Sequence, residues 1–380
     1  MARLPRRAKV DLATGEDFPF YARGVILGAG TRRTLPYSMG IGDCLILLAS
    51  IIMESPRGPG GCSRINMTSV LRFRSVWGVD AGVYYENWAK WFPSLKAQGY
   101  TGVEIDIAPF EDLASIRRLC DEIGLEITIL IHTLWPMYAG PKPAGLTPKD
   151  HLVGYRTQLE RAKTLKPCKV NAHSGDDQWT VDEAVEFFEG SLVVDAELGL
   201  QGKVCHETHR NRAFFGPYTT AKVLKRVPSL RVTADFSHFV VVCERLLDQG
   251  EEDKELLRTI IPHVSDETLR DEVYLCQADL FKVNHIHARM GTTQSSQCPE
   301  PTNPVFKEER RFFEDSWKQI IEAFATGPFK SEPITFVPEY GPYPYHPFGA
   351  ASDFSDVADS EASRLHPLFE EWSKAAAARS

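Results

Sequence analysis

Seven residues of this 380-residue chain have types and positions that could build one polar site: Asp106, His132, His173, Glu207, Asp235, His287 and Glu339. Each falls at the end of a short run rich in Val and Ile, such as GVEIDI (102–107), EITILIH (126–132) and ITFVPEY (334–340). Carboxylates and imidazoles gathered in an apolar setting repel one another or lie unsolvated unless a cation or shared protons hold them. The last four make the sharpest set. Neighbouring strands lie about 4.8 Å apart, so Glu207, Asp235, His287 and Glu339 at four successive strand tips can converge on one ion. Three carboxylates and one imidazole form a hard, mostly oxygen shell. That shell suits one divalent metal, manganese, magnesium or cobalt, with zinc also acceptable. His285 precedes His287 by two residues, so on a strand both point the same way, and periodicity leaves open which is the ligand.

The elements that must carry these residues follow from the alternation after residue 69. Eight candidate strands are read at 71–77, 102–107, 126–132, 168–173, 203–209, 231–238, 282–288 and 334–340. Amphipathic stretches separate them. Residues 87–98 place Trp88, Trp91, Phe92 and Leu95 on one face, and 111–122 place Leu113, Ile116 and Leu119. Thr180 with Glu183 reads as a capping box opening a helix. Further helices are expected at 306–324 and 354–377. Eight strands, each followed by a helical segment, are the arithmetic of an α/β protein of the (β/α)8 TIM-barrel class. The barrel is expected over residues 69–380, with its site at the C-terminal strand ends. Residues 1–68 read as an irregular N-terminal extension, disordered or partly packed under the barrel. Their glycine-rich stretch at 24–30 lacks the strand-turn-helix continuation of a dinucleotide site.

The bulk numbers narrow the function. Residues 1–68 carry nine Lys/Arg and five Asp/Glu, so from a total of −8 the remainder holds −12. That sign disfavours a nucleic-acid partner. The apolar run at 44–53 is too short to span a bilayer, which takes about 20 residues. The eight cysteines form no C-x-x-C pair. A cytoplasmic protein with free cysteines and no membrane partner is expected; a homo-oligomer is compatible with the sequence.

The segments CHETHRNR (205–212), ADFSH (234–238), HIHA (285–288) and PEY (338–340) resemble the sugar phosphate isomerases and epimerases of the xylose isomerase-like superfamily. The resemblance covers residues 70–375. It implies one metal held by Glu207, Asp235, His287 and Glu339, and so picks His287 over His285. It also implies that Glu207 and Glu339 transfer protons, and that His238 of the Asp-x-x-His pattern touches a polyhydroxylated small-molecule substrate. Two positions depart from the ketose 3-epimerases. Ala213 stands where they carry a second Glu, and Thr293 where they carry an Arg; Arg289 lies nearby. The substrate is therefore left open. His173, His132 and Arg289 are read as substrate-binding, and Arg212 as a substrate-binding group that could hold a carboxylate or phosphate. Trp135, Trp179 and Phe215 are loop aromatics that could wall a pocket.

The expected reaction is isomerisation or epimerisation through a cis-enediolate. Three alternatives share parts of this reading: a lyase of the dehydroshikimate dehydratase type, a barrel endonuclease that cuts at abasic sites, and a non-catalytic sugar-binding barrel.

Overall fold

A parallel strand with Val and Ile on one face and polar residues on the other needs cover on both sides, and closing the sheet on itself supplies it. The computed structural model describes residues 68–79, 84–261, 283–327 and 330–379. Eight parallel strands close there into a barrel in sequence order. They are β1 (Val70–Ser75), β2 (Gly102–Asp106), β3 (Glu126–His132), β4 (Lys169–His173), β5 (Val204–Glu207), β6 (Val232–Ala234), β7 (Val283–His287) and β8 (Ile334–Val337). Pairing of Val70 with Ile334 and Arg72 with Phe336 shuts the ring. The expected 1–68 extension lies outside the described residues except for Thr68.

The helices are α1 (Tyr84–Ala97), α2 (Leu113–Ile123), α3 (Pro148–Thr164), α4 (Val181–Leu198), α5 (Pro217–Arg226), α6 (Phe236–Cys243), α7 (Glu251–Ile260), α8 (Lys307–Thr326) and α9 (Phe354–Arg379). Their starts are written in the sequence. The Thr180 side chain accepts from the Glu183 amide while Glu183 accepts from Thr180, and Thr147 with Asp150 repeats the arrangement on α3. Each such cap stabilises its helix by about 1 kcal/mol. The β3 residues Ile127, Ile129 and Ile131 are buried on the outside of the ring, where Leu113, Ile116 and Leu119 of α2 join the same core. Their inward neighbours, Leu130 and His132, face the barrel axis.

Strand ends differ from the sequence expectation in one informative place. Residues 231–238 read as one strand, but β6 stops at Ala234 and α6 starts at Phe236. Asp235 causes the switch: its Oδ1 accepts from the Ser237 amide at 3.0 Å and caps α6. His238 therefore rides on a helix rather than on a strand.

Among the described residues no helix is long and apolar enough to cross a membrane. The described cysteines Cys120, Cys168, Cys205, Cys243 and Cys298 are free.

One buried acid between helices carries a stability prediction. Asp195 of α4 is 4% exposed and accepts from the Tyr155 hydroxyl of α3 at 2.6 Å. Burial raises its pKa from 3.8 to about 7, against the pull of the Tyr155 bond. The native state thus binds more protons than the unfolded chain between those values, and stability falls as pH rises through that window. Asp195→Asn keeps an oxygen for Tyr155. It should flatten the slope and be the more stable form at pH 8 by about 2–4 kcal/mol. Thermal unfolding at pH 5 and pH 8 checks this; parallel pH dependence in both proteins contradicts it.

Candidate metal centre

Alternation along each strand decides which side chains enter the barrel. The inward series brings Glu104 and Asp106 from β2, His132 from β3, Asn171 and His173 from β4, Glu207 from β5 and His285 and His287 from β7. Asp235 and Glu339 sit just past β6 and β8. One ligand atom from each of Glu207, Asp235, His287 and Glu339 lies within 4.8 Å of the others, and all four residues are buried.

The two histidines of β7 occupy different layers. His285 spends both ring nitrogens, Nδ1 on Thr335 Oγ1 at 2.6 Å and Nε2 on Glu104 Oε2 at 2.9 Å. Burial holds it neutral, below the ordinary imidazole value. His287 Nε2 lies within ion-pair distance of the same carboxylate, 2.9 Å from Glu104 Oε1, and 3.3 Å from Asn171 Nδ2. Its Nδ1 points the other way, 3.2 Å from Glu339 Oε2 and 3.5 Å from Glu207 Oε2, without a hydrogen bond. Glu104 is thus the carboxylate that orients both rings and leaves His287 Nδ1 facing the acids. Burial works to raise the Glu104 carboxyl, but His287 and His285 outweigh it and hold it at about 2. Burial likewise works against charge on His287, yet Glu104, Glu339 and Glu207 hold that ring well above its ordinary value.

These residues fit a divalent ion. Glu207 Oε1 and His287 Nδ1 are buried polar atoms without a hydrogen-bond partner, both within the four-residue cluster. Two such atoms in one wall, one a carboxylate oxygen and one an imidazole nitrogen, match a hard cation. Glu207 Oε2 accepts from Asn171 Nδ2 and, at 2.8 Å, from His173 Nε2.

Arg289 sits on the same cluster. It is 1% exposed and places Nη2 2.5 Å from Asp235 Oδ2 and Nη1 3.0 Å from Glu339 Oε2. Nη2 also donates to His238 Nε2 at 2.8 Å, and burial keeps His238 well below the ordinary imidazole value, so it can accept. Arg289 and Glu339 line a cavity of about 430 Å³ at the barrel mouth.

The expected substrate-binding residues divide. His132, His173 and Arg289 line the cavity. His132 is held at about 4 by burial despite Asp106, 3.0 Å from its Nε2. His238 is buried and accepts from Arg289, and it is not among the residues that line the cavity. Arg212 likewise does not line the cavity. Its donors go to Leu134 O at 2.9 Å, Trp135 O at 3.2 Å, Tyr138 Oη at 3.1 Å and His132 Nδ1 at 3.2 Å. A guanidinium committed to two backbone carbonyls ties down the loop after β3. Asn171 and Tyr138 are groups of the site that the sequence did not single out. The Tyr138 hydroxyl bridges His173 Nδ1 at 2.8 Å and His209 Nδ1 at 3.0 Å. Glu104 and Asp106, two apart on one strand face, are both sequence candidates for a group that orients the site, and it is Glu104 that meets the β7 histidines.

No family model matches the chain, and no curated protein matches it. The chain is similar in structure to a sugar phosphate isomerase/epimerase from Parabacteroides distasonis, at 13% identity and TM-score 0.47, over 81% of this chain and 97% of that one. It is similar to D-allulose 3-epimerase from Methylomonas sp. at 15% identity and TM-score 0.46, over 79% and 97%. It is also similar to an AP endonuclease, family 2, from Brucella melitensis at 17% identity and TM-score 0.37, over 58% and 79%.

Proposed function

We propose that this barrel is a divalent-metal-dependent isomerase or epimerase of small hydroxy-carbonyl compounds. The observation that carries the reading is the pair of unpartnered buried atoms, Glu207 Oε1 and His287 Nδ1, inside a cluster of three carboxylates beside a cavity. Glu207, Asp235, His287 and Glu339 would hold the ion, and when bound it supplies Lewis acidity to adjacent carbonyl and hydroxyl oxygens.

Glu339 is the member of the four that lines the cavity, so it is placed to take the proton from the carbon next to the carbonyl. The electron pair left behind gives a cis-enediolate. Returning the proton to the same carbon from the other face epimerises it; returning it to the neighbouring carbon isomerises the substrate. Glu207 is the second carboxylate for that return. Arg289, next to Glu339, donates to oxygen that gains negative charge, and His173 fixes Glu207.

Wash-in of deuterium from D2O, followed by NMR over a panel of ketoses and other hydroxy-carbonyls with Mn2+ present, tests the reading. Glu339→Gln should keep the fold and lower exchange by at least about 10³-fold. Exchange at the unaltered rate in that variant would falsify the assignment, and a product short of one water would turn the reading toward a lyase.

A further inference from the structure

The cavity above the metal cluster is not uniformly polar. Its floor is built from Glu104, Asp106, His132, His173, Arg289 and Glu339. The wall rising from β1, β2 and β3 is apolar: Trp77, Val79, Phe110, Leu130 and Met137. A polyhydroxylated chain laid against that wall loses water from its hydroxyls and finds no donors or acceptors in exchange.

Two of the polar groups nearest the wall are already committed. The Tyr138 hydroxyl is shared among His173, His209 and Arg212, so the residue offers its ring. Ser75 Oγ accepts from the Trp77 amide at 3.1 Å. At the opposite rim, the Arg210 guanidinium lies 4.9 Å over the Tyr345 ring, and Arg289 lies 5.1 Å from the same ring.

The wall is also built rigidly. A Cβ on Gly341 would come within 2.2 Å of the Trp77 ring, so only glycine leaves room for that indole. Tyr345 meets Trp77 edge-on, with centroids 4.9 Å apart. On the other side Trp135, Met137 and Tyr138 all have positive φ, 52°, 53° and 54°. Strained left-handed backbone of this kind persists where surrounding contacts enforce it, and here Arg212 supplies them. The aromatics expected from sequence, Trp135, Trp179 and Phe215, are not among the cavity residues.

We infer that the substrate is amphiphilic, with a hydroxy-carbonyl head that reaches the Glu339–Arg289 floor and a flat apolar body, aromatic or alicyclic, that lies along the Trp77–Phe110–Met137 wall. This rests on the proposed function for the head alone. The body is argued from the wall and stands apart from the ion.

Three hydroxamates share a head that mimics adjacent carbonyl and hydroxyl oxygens: acetohydroxamate, D-threonohydroxamate and phenylacetohydroxamate. Their binding to the full chain is measured by calorimetry with Mn2+ and again with EDTA. Phenylacetohydroxamate should bind at least about tenfold tighter than either of the others, because the wall buries its ring. Met137→Ser, at a side chain already 55% exposed, should weaken phenylacetohydroxamate about three- to fivefold and leave acetohydroxamate unchanged. Threonohydroxamate binding as tightly as the phenyl compound overturns the inference, while leaving the metal reading intact if both need Mn2+. A phenyl preference that survives in EDTA upholds the apolar body and overturns the metal reading. No binding of any probe overturns both.

Discussion

Glu207→Gln is expected to abolish tight metal binding while leaving the fold in place. The reason is the unequal use of its two oxygens. Oε2 accepts from Asn171 and His173, whereas Oε1 is buried with no partner. Glutamine can keep its carbonyl where Oε2 stands and retain both bonds. Its amide then points to where the ion needs an anionic oxygen. His173 and His287 hold the native carboxyl well below its usual range, against burial, so it is the charged form that is lost. Mn2+ affinity should fall by at least about 100-fold, which is about 2.7 kcal/mol. Because an ion that binds only the native state stabilises it by mass action, Mn2+ should raise the melting temperature of the unaltered protein and not that of the variant. Equal Mn2+-induced shifts in the two proteins would remove Glu207 from the metal site.

Arg289→Met should have effects of opposite sign on the two states of the protein. In protein stripped with EDTA, the guanidinium is the cation shared by Asp235 and Glu339, and both it and Asp235 are fully buried. Removing one partner of a buried ion network leaves uncompensated charge and costs about 3–5 kcal/mol. Burial already pushes Asp235 up to about 6 despite Arg289, so without that cation its charged form is disfavoured further. The stripped variant should melt several degrees lower. With Mn2+ the deficit should shrink, because the ion no longer shares the carboxylates with a resident cation, and Mn2+ affinity should rise about tenfold. Weaker Mn2+ binding in the variant would mean that Arg289 supports the ion rather than opposing it. Turnover should still fall, since Arg289 is also the donor nearest Glu339 at the cavity floor.

The sequence by itself determined the barrel and the ring of polar strand ends. Strand parity put Glu207, His287 and their neighbours on one face, and successive parallel strands put those tips side by side. The capping boxes at Thr147 and Thr180 were equally local, since each is closed by residues three apart. Tertiary structure decided what parity cannot. His285 and His287 share a face, and their roles separate because the barrel brings Glu104, from the far side of the ring, between them. Arg289 and Arg212 are both arginines in loops after strands. One meets two buried carboxylates and the other meets carbonyls of the loop after β3, and only the fold sets which partners lie within reach. The apolar wall was hidden for the same reason: Trp77, Phe110 and Met137 are distant in sequence, and the closure of the strands is what assembles them into one surface.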